Sequence, residues 1–392
     1  MNMHEHDPLE FVAGLSVKLA TRSRHVCAFL GAGVARACGL PDVAGLEVKV
    51  LDALPEGDSA TLKLELSGRN LEQVLSRLRR IAALLEDDQR IDGLSAEEAV
   101  SLDGKVCRAI VAELDIAHAD LDPVLGLAAW VARSDYRMPV ELFTVNYDLL
   151  IETALESLRV PYFDGFVGSL RARFHVDLVE ALPGNQQESV PRFFARLWKL
   201  HGSVNWEWEA GKQIVRLGQP VEQGLAAAIY PSDTKYEESR RVPYVVLQDR
   251  LRRALQQPET LVLIAGYSFS DDHLNEMLFD SAARHERSEF VAFCHSEIPE
   301  VLARRASKTP NLQVVTRNEA ILGGVPGKWK VPADPPPSLW VEDGFGLGDF
   351  RNLGAYLARS VTREPERDQL LRELLARAAS EAAPTTSTAA DA

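Results

Sequence analysis

Short apolar runs, each followed at once by glycine or polar residues, recur along this 392-residue chain and constrain its fold more than any other feature. The clearest lie at 25–30 (HVCAFL), 140–144 (VELFT) and 260–268 (TLVLIAGYS), with weaker ones at 290–294 and 312–315. Nearly uninterrupted apolar runs of this length are typical of strands buried on both faces of a parallel sheet. Helical patterns separate them, so the sequence predicts an α/β fold with a doubly wound, mostly parallel, Rossmann-like sheet.

The segments around these strands predict the domain organisation. Residues of about 46–132 place leucine and alanine among charged residues at helical spacing, which indicates a helical insertion within a domain of 1–330. The run 331–348 holds four prolines and three glycines and is predicted to be a linker. Leucines 370, 371, 374 and 375 predict a C-terminal helical appendage over 349–382, and 383–392 is expected to be disordered. A further strand is predicted in AAAIYP, near Tyr230.

Composition excludes several classes of protein. Acidic residues outnumber basic ones by 57 to 43, and the resulting charge of −14 opposes direct non-specific binding of nucleic acid. No apolar run approaches the roughly 18 residues of a membrane span, and the opening MNMHEHDPLE is unlike a secretory signal, so we expect a cytoplasmic protein. The cysteines Cys27, Cys38, Cys107 and Cys294 form no CxxC pair, which argues against a zinc ribbon or a disulfide framework.

Polar motifs follow four of the predicted strands. They are GAG at 31–33, NYD at 146–148, HG at 201–202 and GYSFSDDH at 266–273. Ligands of open parallel sheets bind outside the carboxyl ends of the strands. We therefore expect these four motifs to lie together at one edge of the sheet and to form a binding site.

The glycine motif has two interpretations. Gly31, Ala32 and Gly33 follow a strand directly, so their backbone amides are placed to approach a pyrophosphate at a helix N-terminus. The full dinucleotide fingerprint requires glycine at position 36, where this chain has Arg36, which disfavours an ordinary dehydrogenase. The alternative is a tight strand-to-helix turn without a ligand.

The other three motifs also have structural alternatives. Asn146 and Asp148 are suited either to ligand contact or to capping the helix that follows them. The imidazole of His201 can accept a proton near neutral pH, and Gly202 leaves room for a sugar; the alternative is a structural role, which is usual for a solitary histidine. The polar residues of 271–275 are suited either to the site or to capping the next helix.

Taken together, these motifs resemble those of the sirtuin-like NAD-binding family. The resemblance covers about 25–316 and includes CGLPD at 38–42, which matches the family's small-Gly-aliphatic-Pro-Asp segment after its GAG loop. The NYD form of the second motif is typical of the branch found in bacterial antiphage-defence proteins. The family's Phe-Arg after the aspartate is replaced by Val43 and Ala44, which argues against the contacts of its deacylases.

The resemblance implies a role for each matching residue. Asn146 would position the nicotinamide ribose and the attacking water, and His201 would contact the ribose hydroxyls and act as general base. Asp148 would hold the carboxamide. Together with Asp148, the NAD-binding residues implied by the resemblance are Gly31, Ala32, Gly33, Asp42, Gly266 and Ser268.

The choice of nucleophile decides the function that the resemblance implies. The zinc ligands of sirtuin deacylases are missing from this sequence, and in their place we expect a helical lobe built from the insertions at about 46–132 and 166–195. The acceptor is then water, no metal is needed, and the products are ADP-ribose and nicotinamide. A protein deacylase or ADP-ribosyltransferase, or a non-catalytic NAD- or ADP-ribose-binding assembly module, are the alternatives. A nuclease ranks last.

Free hydrolysis of NAD+ would kill the cell, so the resemblance also implies control. Sirtuin-like NADases of this branch are abortive-infection effectors that stay inactive until an assembly or partner senses phage. We therefore expect a homo-oligomer that works with a partner, and a HerA-type hexameric ATPase is the preferred candidate.

Overall fold

A computed structural model describes residues 4–86, 89–181, 195–209, 213–221, 242–334 and 336–360. In these ranges the strands are β1 (His4–His6), β2 (Val26–Leu30), β3 (Val140–Thr144), β4 (Tyr162–Phe163), β5 (Phe166–Val167), β6 (Arg171–Phe174), β7 (Ala195–Lys199), β8 (Trp206–Glu209), β9 (Gln213–Leu217), β10 (Leu261–Ala265), β11 (Glu289–Phe293), β12 (Leu312–Val315), β13 (Glu319–Leu322), β14 (Val325–Trp329), β15 (Trp340–Val341) and β16 (Gly344–Phe345). The α-helices are α1 (Pro8–Leu19), α2 (Ala32–Ala37), α3 (Val43–Ala53), α4 (Glu56–Glu65), α5 (Leu71–Leu84), α6 (Ala96–Glu113), α7 (Asp122–Arg133), α8 (Leu150–Ser157), α9 (Val176–Glu180), α10 (Tyr244–Leu255), α11 (Asp272–Arg284), α12 (Glu300–Ala306) and α13 (Phe350–Ser360).

A ten-stranded, mostly parallel sheet forms the centre of the molecule, as the sequence predicts. Its strand order is β1-β14-β13-β12-β11-β10-β2-β3-β7-β4, and only the β12-β13 and β13-β14 pairs are antiparallel. Leu30 at the end of β2 pairs with both Ala265 and Thr144, and Thr144 pairs with Lys199. Four neighbouring strands therefore end at the same level, and the residues that follow them emerge along one edge.

Helices cover both faces of the sheet, which makes it doubly wound. Along β2, Val26, Ala28 and Leu30 pack with α1, α7, α8 and α13, whereas Cys27 and Phe29 pack with α10, α11 and α12. Successive side chains of a strand point to opposite faces, so an uninterrupted apolar run feeds both cores at once.

The insertion predicted at 46–132 is helical, and most of it forms a lobe. Helices α3 to α6 share a separate apolar core, to which Val204 and Val221 also contribute. Capping boxes at Asn70 and Ser95 fix the starts of α5 and α6. Helix α7 is the exception within the predicted range, because its apolar stripe packs against the main sheet instead.

The second insertion, predicted as helical at about 166–195, differs from that expectation. Its described residues form β5, β6 and only one short helix, α9, and residues 182–194 lie outside the described ranges. The two strands join a four-stranded antiparallel sheet of order β5-β6-β9-β8. The physical reason is visible along β6, where side chains alternate between exposed and buried with the period of a strand.

The end of the predicted linker at 331–348 packs on the core. Strands β15 and β16 pair within it. Phe345 and Leu347 are fully buried, because their apolar side chains pack into the main hydrophobic core. Helix α13, at the start of the predicted appendage, packs against α7. The predicted strand near Tyr230, the leucine stripe and the predicted tail at 383–392 lie outside the described residues. Within the described residues, no helix is long and apolar enough to cross a membrane.

Candidate functional site

The four strand-end motifs meet at one cleft on the carboxyl edge of the sheet. The cleft contains about 860 Å³ of empty space, counting the part open to solvent. Six of the nine residues expected at the site line it, namely Ala32, Asp42, Asn146, Asp148, His201 and Ser268. The helical lobe supplies Asn70, Glu72 and Leu114 to the same lining.

The three glycines of the prediction pack two loops together beside this cleft. The N–H of Gly33 donates to the carbonyl of Gly266 at 2.8 Å, and the N–H of Gly31 donates to the carbonyl of Ala265 at 3.0 Å. A Cβ atom on Gly33 would lie 2.6 Å from the Cα atom of Gly266, and one on Gly31 would lie 2.6 Å from its carbonyl oxygen. These two amides are therefore satisfied by protein carbonyls, and loop packing is a sufficient reason for the glycines. Their contact with NAD stays a prediction.

Asn146 connects the end of β3 to the glycine loop. Its side chain is 7% exposed and donates from Nδ2 to the carbonyl of Gly31 at 3.1 Å. Its backbone N–H donates to Oγ1 of Thr144 at 3.0 Å. The side chain thus does not cap α8, and it is held at the cleft by the glycine loop that follows β2.

Asp148 makes a local hydrogen bond just before α8. Its Oδ1 accepts the N–H of Leu150 at 3.1 Å, but the N-cap residue of α8 is Leu149, so Asp148 is not the helix cap. Burial raises the pKa of Asp148 and outweighs the lowering by the nearby charge of Lys199. The Lys199 ammonium pairs with Glu152 at 2.9 Å.

His201 follows β7 and lies between two carboxylates. Its Nε2 atom is 3.5 Å from Oδ2 of Asp271, and its Nδ1 atom is 3.9 Å from Oε1 of Glu72. Desolvation of the buried ring lowers the pKa of His201, but the hydrogen bond to Asp271 and the charges of both carboxylates raise it more, so the net shift is upward. The same contact lowers the pKa of Asp271, although burial acts in the opposite direction.

Two further residues line the cleft, and one of them, Glu72, has no signal in the sequence. Glu72 lies in the first turn of α5, where an acid is ordinarily explained by the helix dipole. Tyr147, the central residue of the NYD motif, donates its hydroxyl to Glu72. Burial and the charge of Glu72 raise the pKa of Tyr147 well above its ordinary value. Only the placement of the helical lobe reveals that Glu72 reaches the cleft.

The remaining predicted residues are held by local hydrogen bonds. Asp42 caps α3 by accepting the N–H of Gly45 at 2.9 Å, and it lies 3.3 Å from the Arg36 guanidinium. The hydroxyls of Ser268 and Ser270 are 2.9 Å apart at the rim of the cleft. Among the residues that the structure describes, no group of three or more His, Cys, Asp or Glu side chains is arranged to hold a metal ion.

The fold and the cleft together define an α/β protein with a cleft lined by polar side chains at the carboxyl edge of a mostly parallel sheet. Residues 140–315 match the family model for the SIR2-like domain. The match includes Asn146, Asp148, His201 and the 266–273 motif, so this part of the chain is similar to the SIR2-like domain. A comparison with curated proteins gave no significant match.

Proposed function

We propose that this chain is an NAD+ hydrolase that cleaves the bond between nicotinamide and ribose and releases nicotinamide and ADP-ribose. The observation that carries the proposal is the convergence of Asn146 and His201, which follow adjacent strands, on one cleft. The SIR2-like match and the family resemblance of the four motifs support NAD+ as the substrate.

The charge of the cleft suits this reaction. Nicotinamide leaves as a neutral molecule from a cationic pyridinium, so positive charge moves onto the ribose as the bond breaks. Four carboxylates line the cleft, those of Asp42, Glu72, Asp148 and Asp271, and within the described residues no lysine or arginine lines it. Fixed negative charge beside a developing cation lowers the barrier, since the protein need not reorganise during the reaction.

Asn146 and His201 have complementary roles in the proposal. Asn146 is fixed by its hydrogen bond to Gly31 and orients the ribose and the water. In its neutral form, His201 takes the proton of the water as the new bond to the ribose carbon forms. His201 is held between the carboxylates of Asp271 and Glu72.

Product analysis tests the proposal directly. We expect the full-length chain to release nicotinamide and free ADP-ribose from NAD+, and we expect Asn146→Ala and His201→Ala each to slow this by about 100-fold or more. His273→Ala is the control, because His273 is an exposed histidine of the 266–273 motif and does not line the cleft. Acyl-ADP-ribose or labelled protein as the product would instead indicate a deacylase or an ADP-ribosyltransferase. NAD+ binding without turnover, with partners and phage triggers present, would indicate a non-catalytic assembly module.

We further propose that the hydrolase is a cytoplasmic antiphage effector, a homo-oligomer activated by assembly or by a HerA-type hexameric ATPase. The NYD form at 146–148 supports this branch, and the toxicity of uncontrolled NAD+ loss supports a requirement for activation. Cells carrying the wild-type chain and its partner should lose NAD+ after phage infection, and cells carrying His201→Ala should not. Co-purification of the chain with the ATPase tests the partner separately.

A further inference from the structure

Both ring nitrogens of His201 face carboxylates that come from other parts of the fold. Asp271 lies at the start of α11, and Glu72 belongs to α5 of the helical lobe. The His201 ring is buried, at 9% side-chain exposure, and Asp271 and Glu72 are 16% and 26% exposed. Such burial weakens screening by water and salt, so both carboxylates act on the ring strongly.

Each carboxylate is held in place by a second contact. Asp271 accepts the N–H groups of His273 and Leu274 through Oδ1, which leaves Oδ2 directed at His201. Glu72 accepts the hydroxyl of Tyr147. The arrangement is therefore built from three elements of the fold and does not depend on one mobile side chain.

We propose that Asp271 and Glu72 are positioning residues that hold the His201 ring between them and favour its imidazolium form, so that the helical lobe takes part in the site through Glu72. This inference rests on the proposed function for its catalytic consequence. A base must be neutral to accept a proton, so the two carboxylates set the pH above which His201 can act. The position of the helical lobe then affects that pH, because the lobe carries Glu72.

The charged and titratable groups around His201 determine in which direction its protonation midpoint shifts when a carboxylate is removed. Asp271 and Glu72 lie at its nitrogens, Tyr147 donates to Glu72, and Tyr267 lies on the same cleft. Both carboxylates favour the protonated ring, so removing either charge favours the neutral ring. The protonation midpoint of His201 then falls, and His201 becomes a competent base at lower pH.

The direct test is an NMR titration of His201 in the full-length chain with ¹³C-labelled histidine, its signal assigned with His201→Ala. We expect Asp271→Asn to lower the titration midpoint by about one pH unit, since an opposite charge within 4–6 Å has at least this effect. Asparagine is itself a good helix N-cap, so the start of α11 is preserved. Glu72→Gln is expected to produce a smaller shift in the same direction, because its oxygen is farther from the ring.

Asp272→Asn is the matched control, since this exposed carboxylate lies next to Asp271 and does not line the cleft. An unchanged His201 midpoint in both Asp271→Asn and Glu72→Gln would overturn the proposal. A shift in Asp271→Asn without one in Glu72→Gln would show that the helical lobe has no part in the effect. The second measurement is the pH dependence of kcat/KM for NAD+ hydrolysis, whose acidic limb should move by the same amounts. If the chain does not hydrolyse NAD+, the titration still decides the role of the carboxylates. Failure of the proposed function can therefore be distinguished from failure of this inference.

Discussion

Glu141 lies in the second position of β3, where the sheet is buried on both faces, and its carboxylate is the centre of a buried polar network. The side chain is 1% exposed. It accepts hydrogen bonds from Trp198 at 2.7 Å, from Nε of Arg250 at 2.8 Å and from His25 at 3.1 Å. Burial alone would raise the pKa of Glu141, but the hydrogen bonds from His25 and Arg250 and the Arg250 charge lower it to about 2.

This shift has a calculable effect on stability. The pKa falls from an ordinary value of 4.5 to about 2, and at 1.36 kcal/mol per unit the ionised group adds about 3 kcal/mol to the free energy of unfolding at pH 7. Because folding lowers the pKa, this stabilisation is present above the pKa of the unfolded chain and is lost as the pH falls toward 2. At pH 3 about 1 kcal/mol remains.

Urea unfolding of Glu141→Gln, followed by tryptophan fluorescence at pH 7 and pH 3, measures this contribution. The variant leaves the buried Arg250 without its counter-charge, so we expect a loss of about 3 kcal/mol at pH 7 and about 1 kcal/mol at pH 3. Glu300→Gln is the control, because Glu300 is 88% exposed and its ion pair with Arg304 lies at the surface. Equal losses for Glu141→Gln at the two pH values would refute the reasoning.

Three glycine substitutions test the packing. A Cβ atom on Gly126 would lie 2.6 Å from the carbonyl group of Gly354, so Gly126→Ala should separate α7 from α13 and lower the free energy of unfolding by about 1–3 kcal/mol in chemical denaturation. Gly14→Ala, also within a helix but with nothing within 4 Å, should raise it by about 1 kcal/mol; a loss there would contradict the comparison. Gly33→Ala should push the loop at Gly266 away from the cleft and weaken NAD+ binding in titration calorimetry, and wild-type affinity would show that this packing does not shape the site.

The central strands could be predicted because their signal is local. The strands ending at Leu30 and Ala265 are apolar at every position, and the strand ending at Thr144 is buried throughout, since helices cover both faces of the sheet. The short strands at 166–174 have no such run, and β6 is completed by pairing with β9, which lies about 40 residues later in the chain. Partners so distant leave only a weak period-two alternation in the sequence, so the strands at 166–174 were not predicted.

The candidate site, too, could be predicted from the sequence only in part. Strand-end motifs could be located because parallel strands that end in register place their next residues at one edge, as the Leu30, Thr144 and Lys199 pairs do. Glu72 could not be located, because its distance from His201 depends on how a separate helical core sits on the sheet. The glycines could be identified from the sequence, but the packing of Gly31 and Gly33 against the backbone of 266–267 could not.

Asp271 shows why capping and a role at the site are not alternatives, although the sequence presents them as such. A carboxylate has two oxygens, and here Oδ1 accepts two N–H groups of α11 while Oδ2 lies 3.5 Å from His201. The cap fixes the side chain by bonds that the helix requires anyway, so no further group is needed to aim the second oxygen. A residue that caps a helix beside a cleft is therefore a better candidate for orienting a base than an unrestrained carboxylate. Asp271→Asn separates the two roles because it keeps the cap and removes the charge.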